Sequence, residues 1–265
     1  MDKCLFALPW PAPLVEASLV RRYDRFLADV TLASGETVTA HCVNSGAMEG
    51  LVRPGARVWL SPAMSATRKL RWTWSIIEVD GVLVGADTSL PNRLVKSMLE
   101  ARALHGLSQW DTLTPEHVHA PGSRVDFHLV TRGAPHDIEV KNCHLVYPDG
   151  RAYFPDSVSE RATKHLEILT REARRAMEAT VLFTVQRPDA RCVRPSDAHD
   201  PAFARAARVA HAAGVRFRAI RVHATPFGVR VLGPLPVDLE PYDPAPIAAW
   251  RAAAKSQSGW QRGAR

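Results

Sequence analysis

Ser123-Arg-Val-Asp126-Phe-His-Leu-Val-Thr-Arg132, then Gly133-Ala-Pro-His136, then Asp137-Ile-Glu139-Val-Lys141 is the stretch on which the reading of this chain turns. Both arms alternate and are rich in β-branched residues, and Gly-Ala-Pro punctuates them, so a β-hairpin is expected. Paired positions in an antiparallel hairpin keep a constant index sum. A turn centred near residues 133–134 therefore sets Asp126 opposite residues 139 to 141. Glu139 and Lys141 are two apart and share a face. Two carboxylates and an ammonium should meet on one patch of sheet.

That trio has a chemical use. A hard divalent cation such as Mg²⁺ or Mn²⁺ takes one or two carboxylates, with water and substrate phosphate filling the remaining positions. A neighbouring lysine adds a compact positive charge where a phosphate is attacked. Asp, a gap of roughly ten to twenty residues and Glu-x-Lys form the pattern of the PD-(D/E)XK nucleases. The plainer alternative is a solvated hairpin with cross-strand ion pairs, each contributing about 0.2–1 kcal/mol.

The rest of the chain narrows the choice. Its 265 residues suffice for one large domain or two modest ones. Thirty-four Lys and Arg against 27 Asp and Glu leave a net charge of +7. Most of these cations are arginines, which suits an anionic polymer as partner. Cys4, Cys42, Cys143 and Cys192 are scattered. That spacing suits neither a disulfide framework nor a zinc module and fits a reducing cytosol. No apolar run reaches the ~18 residues of a membrane span, and the N-terminus lacks a secretory h-region. A cytoplasmic protein with no membrane partner is expected.

Leu14–Tyr23, Phe26–Leu32, Val38–Val43, Arg57–Leu60 and Trp72–Val79 alternate in β fashion between turn residues. Five short strands within residues 1–84 predict a small closed OB-like barrel. Arginines beside aromatics mark it as a nucleic-acid surface, with Arg22, Arg25, Arg68, Lys69, Arg71 and Trp72 as candidate contacts. Alternatively, Trp59, Trp72 and Trp74 fill the barrel and the arginines simply face water.

Residues 85–238 read as a second domain. A helix opens at Ser89-Leu-Pro91 and ends near Gly106, with Glu100 projecting from it. A weak strand over Leu113–Val118 precedes the hairpin. Ser157-x-x-Glu160, in capping-box form, starts the longest helix, and Val181–Gln186 is a buried strand. The resulting αβββαβ order is that of the PD-(D/E)XK, restriction-endonuclease-like core, with the trio on its second and third strands. Residues 239–265 form an Ala- and Arg-rich tail expected to wrap the surface or fray.

On this reading Asp126, Glu139 and the carbonyl of Val140 hold the cation, with Glu100 adding a ligand through water. Lys141 orients the attacking water. Arg161 and Lys164, at a helix N-terminus that favours anions, contact phosphate. Asp156, Glu160, His165 and Gln186 are expected to support the ligands from behind. The plainer alternatives are that Asp156 only ends a strand, His165 packs, and Gln186 is a buried amide satisfied locally.

Several blocks also resemble the sugar fermentation stimulation protein A family. They are Arg25-Phe-Leu-Ala-Asp-Val, Val38-Thr-Ala-His-Cys-Val-Asn44-Ser-Gly46, Leu90-Pro-Asn-Arg93-Leu-Val, the two arms of the hairpin, Phe154-Pro-Asp156-Ser-Val-Ser-Glu160-Arg161-Ala-Thr-Lys164-His165-Leu and Phe183-Thr-Val-Gln186-Arg187. The resemblance runs over residues 13 to 235 in the family's order. It implies a bacterial protein with an OB-like and a nuclease-like domain that binds DNA without marked sequence preference. This chain departs at Asn142-Cys143-His144, where the family is often Ser-Val-Thr, and at Asn44-Ser45. Three functions follow as expectations: a Mg²⁺-dependent nuclease on DNA or RNA, a DNA-binding regulator of sugar (maltose) genes that does not cut, and a binder of acidic small molecules. Oligomeric state is not legible.

Overall fold

The computed structural model describes residues 4–120, 123–256 and 260–261. A short first strand, β1 (Phe6–Leu8), leads into β2 (Val15–Tyr23), β3 (Leu27–Leu32), β4 (Thr37–His41), β5 (Arg57–Pro62) and β6 (Trp72–Val79). These last five are the strands expected from alternation. They close into a barrel in the order β2-β3-β4-β6-β5, sealed by antiparallel pairing of β2 with β5. Val30, Leu60, Trp74 and Ile77 fill its interior. A strand the pattern was too short to reveal, β7 (Val82–Gly85), pairs β6.

The second unit runs α1 (Leu90–Glu100), β8 (Thr112–Ala120), β9 (Ser123–Thr131), β10 (Ala134–Cys143), β11 (Leu145–Val146), β12 (Arg151–Phe154), α2 (Glu160–Ala173), β13 (Glu178–Val185), β14 (Cys192–Pro195), α3 (Pro201–Ala212), β15 (Arg216–Thr225) and β16 (Gly228–Leu235). Its main sheet is ordered β1-β16-β15-β13-β10-β9-β8, with β10, β13 and β15 mutually parallel. One face packs on α1 and on Trp59 and Ile76 of the barrel, and the other on α2 and α3. Trp59 thus seals the joint between the two units, not the barrel interior. The tail carries α4 (Ala245–Ser256) and β17 (Trp260–Gln261), which pairs β2. Ile247 of α4 is buried beside Tyr147 and Tyr153, so this part of the tail wraps the surface, the first of the two expected outcomes.

The ends of the chain depart from the expected boundaries. Phe6–Leu8, inside the expected 1–84 unit, is an edge strand of the far sheet, and the tail returns to the barrel.

The central hairpin turns one residue earlier than expected. Arg132 and Gly133 both have positive φ, 51° and 79°, forming the tight two-residue turn whose twist matches antiparallel strands. Ala134 and Pro135 already belong to β10. Pro135 is tolerated because pairing with β13 starts only at His136, so its missing N–H breaks no ladder there.

The joint between barrel and sheet is polar where the Asn44-Ser45-Gly46 loop meets Asp156. The Asp156 carboxylate accepts from the Met48 N–H (2.9 Å) and stands 3.3 Å from Nε2 of His144. Burial opposes its charge, but His144 and that N–H outweigh burial and bring the carboxyl down to about 2. A Cβ on Gly46 would lie 2.7 Å from Oδ1 of Asp156, so only glycine permits this approach.

Candidate active site

The ladder between β9 and β10 is paired as far as Ile138 with Phe127, and the constant sum then carries Asp126 beside Glu139. There the Asp126 side chain takes over from the backbone. Its Oδ2 accepts the Val140 N–H at 2.7 Å, and its Oδ1 accepts the Asn92 amide from the first turn of α1 at 2.8 Å. Across from it, Oε1 of Glu139 receives Nζ of Lys141 at 2.6 Å and Nδ1 of His165, on α2, at 2.5 Å. Glu139 and Lys141 are both buried. Two helices and two strands therefore converge on one charged cluster.

The electrostatics divide the two carboxylates. Burial, and then the charge of Glu139, push the Asp126 carboxyl up to about 6. Burial alone would raise Glu139 too. The His165 hydrogen bond and the Lys141 charge outweigh it and hold Glu139 below the usual carboxylate range. An ionised carboxylate can only accept, so Nδ1 of His165 carries the proton in this contact. Adjacent carboxylates with such a split occur at functional sites, and structural ion-pair networks can produce one as well.

Among the described residues, no group of three or more His, Cys, Asp or Glu is arranged to hold a metal by itself. Two carboxylates plus a backbone carbonyl are nevertheless the usual protein share for Mg²⁺, which keeps several waters. The raised Asp126 carboxyl is a second point of fit, because a cation between the pair would relieve their repulsion.

The remaining sequence candidates scatter. Glu100 ends α1, eight residues from Asn92 and so about 12 Å along the helix. There it pairs with Lys96 at 2.6 Å, away from the carboxylates. Arg22 is 1 % exposed, and its guanidinium serves the carbonyls of Arg25, Asn44, Gly46 and Ala47. It ties loops together and offers nothing to a ligand. Trp72 packs one side against the barrel core and is partly buried. Arg25, Lys69 and Arg71 are exposed, and Arg71 also donates to the carbonyls of Ser65 and Ala66. Arg161 and Lys164 are exposed on the first turns of α2, with Arg161 one turn before His165.

Glu160 is exposed as well and does not complete a capping box. Ser159, not Ser157, caps α2 by accepting the Ala162 N–H, and Asp200 takes the Ser159 N–H at 2.8 Å. Asp156 serves the joint between the two units. Gln186 is fully buried against Gly85, and neither of its amide atoms has a partner, so it is not satisfied locally. Asn92 was missed. It appears in the sequence only as the third residue of Leu90-Pro-Asn, and nothing in that spacing points at Asp126.

Comparison with known proteins fits this two-part layout. Residues 20–86 match the model of the SfsA N-terminal OB domain, and residues 89–228 match that of the sugar fermentation stimulation protein RE domain. The chain belongs to the sugar fermentation stimulation protein family. It is 44% identical over 235 residues to a sugar fermentation stimulation protein homolog of Jannaschia sp. (strain CCS1), covering 88% of this chain and 98% of the relative. A homolog from Geobacter metallireducens is likewise 44% identical, over 232 residues, covering 86% and 99%. The solved structure of Pyrococcus furiosus SfsA in complex with Ca²⁺ superposes with a TM-score of 0.80 at 24% identity, covering 89% of this chain and 99% of that one. Its likeness to that family member lies in the fold. No helix among the described residues is long and apolar enough to cross a membrane, and all four cysteines are free thiols.

Proposed function

We propose that this protein is a divalent-cation-dependent phosphodiester hydrolase acting on nucleic acid, DNA or RNA, with little sequence preference. The observation that carries the reading is the convergence of Asp126, Glu139 and Lys141 with His165 on one buried patch. Around it α1, β8, β9, β10, α2 and β13 follow one another in the order expected of a PD-(D/E)XK core, with β11 and β12 inserted before α2, and this supports the reading. The Pyrococcus furiosus relative is described in complex with Ca²⁺, a hard cation of the class these oxygens suit.

Asp126, Glu139 and the carbonyl of Val140 would hold Mg²⁺ or Mn²⁺. Bound there, the cation supplies Lewis-acid polarisation of a phosphodiester oxygen and lowers the pKa of a water. The chain's own groups do the rest. Asn92 and the Val140 N–H fix both oxygens of Asp126, so the carboxylate is oriented before substrate arrives. His165 holds Glu139 in its charged form. Lys141 sets its amine, with little access to water, beside Glu139, where an attacked phosphate would gain negative charge. Arg161 and Lys164 extend the positive surface from the helix start.

The test is cleavage of plasmid and single-stranded DNA by purified protein with Mg²⁺ or Mn²⁺ and with EDTA. Lys141→Ala should lower the rate at least about a hundredfold, as loss of a group stabilising transition-state charge does, and leave DNA affinity nearly unchanged. Cleavage that persists in that variant would assign the activity to a contaminant. A second reading, a DNA-binding regulator of sugar genes that does not cut, draws on the absence of a three-ligand group among the described residues. Binding without cleavage under every cation would favour it.

A further inference from the structure

A groove of about 380 Å³ lies between the barrel and the start of α1, apart from the carboxylate cluster. Ser61, Pro62, Met64 and Arg68 line it from the barrel, and Trp10, Asp87, Ser89 and Arg93 from the second unit. Its charges are unbalanced. Among the described residues no carboxylate pairs with Arg68; its Nη2 donates to Nδ1 of His41 at 3.0 Å. Partial burial and the Arg68 charge hold that histidine below its ordinary value.

Arg93 is half exposed, and its carboxylate neighbour is Asp87 at 3.6 Å. Asp87 accepts both the N–H (2.8 Å) and the hydroxyl (2.6 Å) of Ser89 through Oδ1 and turns Oδ2 toward Arg93. Two guanidinium groups thus share a concavity with one carboxylate, an excess of one positive charge. Trp10 supplies an aromatic wall, its ring pinned by Nε1 donating to the Thr225 carbonyl at 2.7 Å. A pinned indole beside two arginines is the equipment that holds a nucleotide, with cation on phosphate and ring on base. Arg93 also directly follows Asn92, which holds Asp126, so the first turn of α1 serves both the groove and the carboxylate cluster.

We infer that this groove seats one nucleotide unit of a single strand of the substrate, its phosphate between Arg68 and Arg93 and its base on Trp10, and so leads the polymer toward Asp126 and Glu139. The inference rests on the reading of the chain as a nucleic-acid hydrolase, and it makes Arg93 and Trp10 residues that position substrate without touching the reacting bond.

The test is fluorescence anisotropy of a labelled ten-nucleotide oligo(dT) with the full chain in EDTA, so that affinity is read apart from cleavage. Arg93→Ala should weaken binding about tenfold at low salt and lower the slope of log affinity against log salt by about 0.7, the share of one phosphate contact on a single strand. Arg68→Ala should do the same. Arg93→Lys should keep the parent slope. Trp10→Leu should weaken binding about fivefold or more while leaving the slope alone, because stacking releases no counterions. Thermal melting close to the parent shows that these variants fold.

Parent-like affinity and slope in both arginine variants would overturn the inference, whether or not the parent cuts DNA. An equal loss from Arg57→Ala, elsewhere on the barrel and paired to Glu78, would overturn it by showing general charge attraction only. Protection of the parent by dTMP that disappears in Arg93→Ala, with oligo(dT) affinity unaffected, would also overturn it in favour of a free-nucleotide site. If the groove variants behave as expected but no cation supports cleavage, the hydrolase reading fails and the groove stands.

Discussion

Replacing Asp126 by asparagine removes a charge and almost no shape, and it should make the metal-free protein more stable. The carboxylate accepts from the Val140 N–H and from Asn92. Asparagine keeps the first contact with its own oxygen, and the Asn92 amide meets its NH₂ by turning over. Burial and Glu139 raise the Asp126 carboxyl from 3.8 to about 6. The fold thus favours the protonated acid, and the folded chain binds more protons than the unfolded one between those values. Stability conferred by Asp126 therefore falls as pH rises from about 4 to about 6 and stays lost above. Each unit is about 1.4 kcal/mol, so the asparagine variant should gain about 3 kcal/mol at pH 8. It should gain almost nothing at pH 4. Urea unfolding in EDTA at both values measures the difference. Adding Mn²⁺ should raise the parent's stability and leave the variant where it was, while cleavage disappears. A variant less stable than the parent at pH 8, or a gain equal at pH 4 and pH 8, would refute the reasoning that two carboxylates are held together at a cost.

Three further outcomes follow from other positions. Arg22→Met should cost about 3 kcal/mol or more, because it removes charged hydrogen bonds and leaves buried carbonyls unpaired; the salt dependence of DNA binding should not change, which separates a structural arginine from a contact. Asp156 has a carboxyl lowered to about 2, so its stabilisation is present above about pH 4 and lost as pH falls from there to 2; Asp156→Asn should flatten that acid limb in melting temperatures, with about 2 kcal/mol at stake. His165→Ala takes a proton donor from Glu139, so the Glu139 carboxyl should rise and the acid limb of the cleavage pH profile should move to higher pH.

The strands of the barrel could be read because alternation and turn chemistry are local properties. The same holds for the trio, since a two-residue turn and a period of two carry Asp126, Glu139 and Lys141 together without help from the rest of the fold. Arg22 shows where this stops. Ala17 and Leu19 face the core, so strict alternation would send residue 22 outward. A bulge between Leu19 and Arg21 shifts the parity, leaving Val20 and Arg21 outside and swinging Arg22 inward. No feature of Leu19-Val-Arg-Arg22 announces that extra residue. Asn92 and the Arg93 groove were hidden for another reason: they act across elements whose docking is decided by tertiary packing of α1 on the sheet. Ser157 was favoured as a cap by spacing to Glu160, but Asp200 reaches Ser159 from forty residues away and settles the helix start there.

The exchange of chain ends between the two units has a consequence for how the molecule is made. Leu8 pairs with Val229, so the ribosome finishes the edge strand's partner some 220 residues after the strand itself emerges. The barrel can close on its own local contacts in the meantime, with Phe6–Leu8 held in waiting as an unpaired ribbon. Final assembly is then a late zippering event that also fixes Trp10, because the indole is anchored to Thr225 beside the same pairing. Shaving the first dozen residues would therefore spare the early folding of the barrel and strike instead at the last step, leaving the far sheet with a raw border.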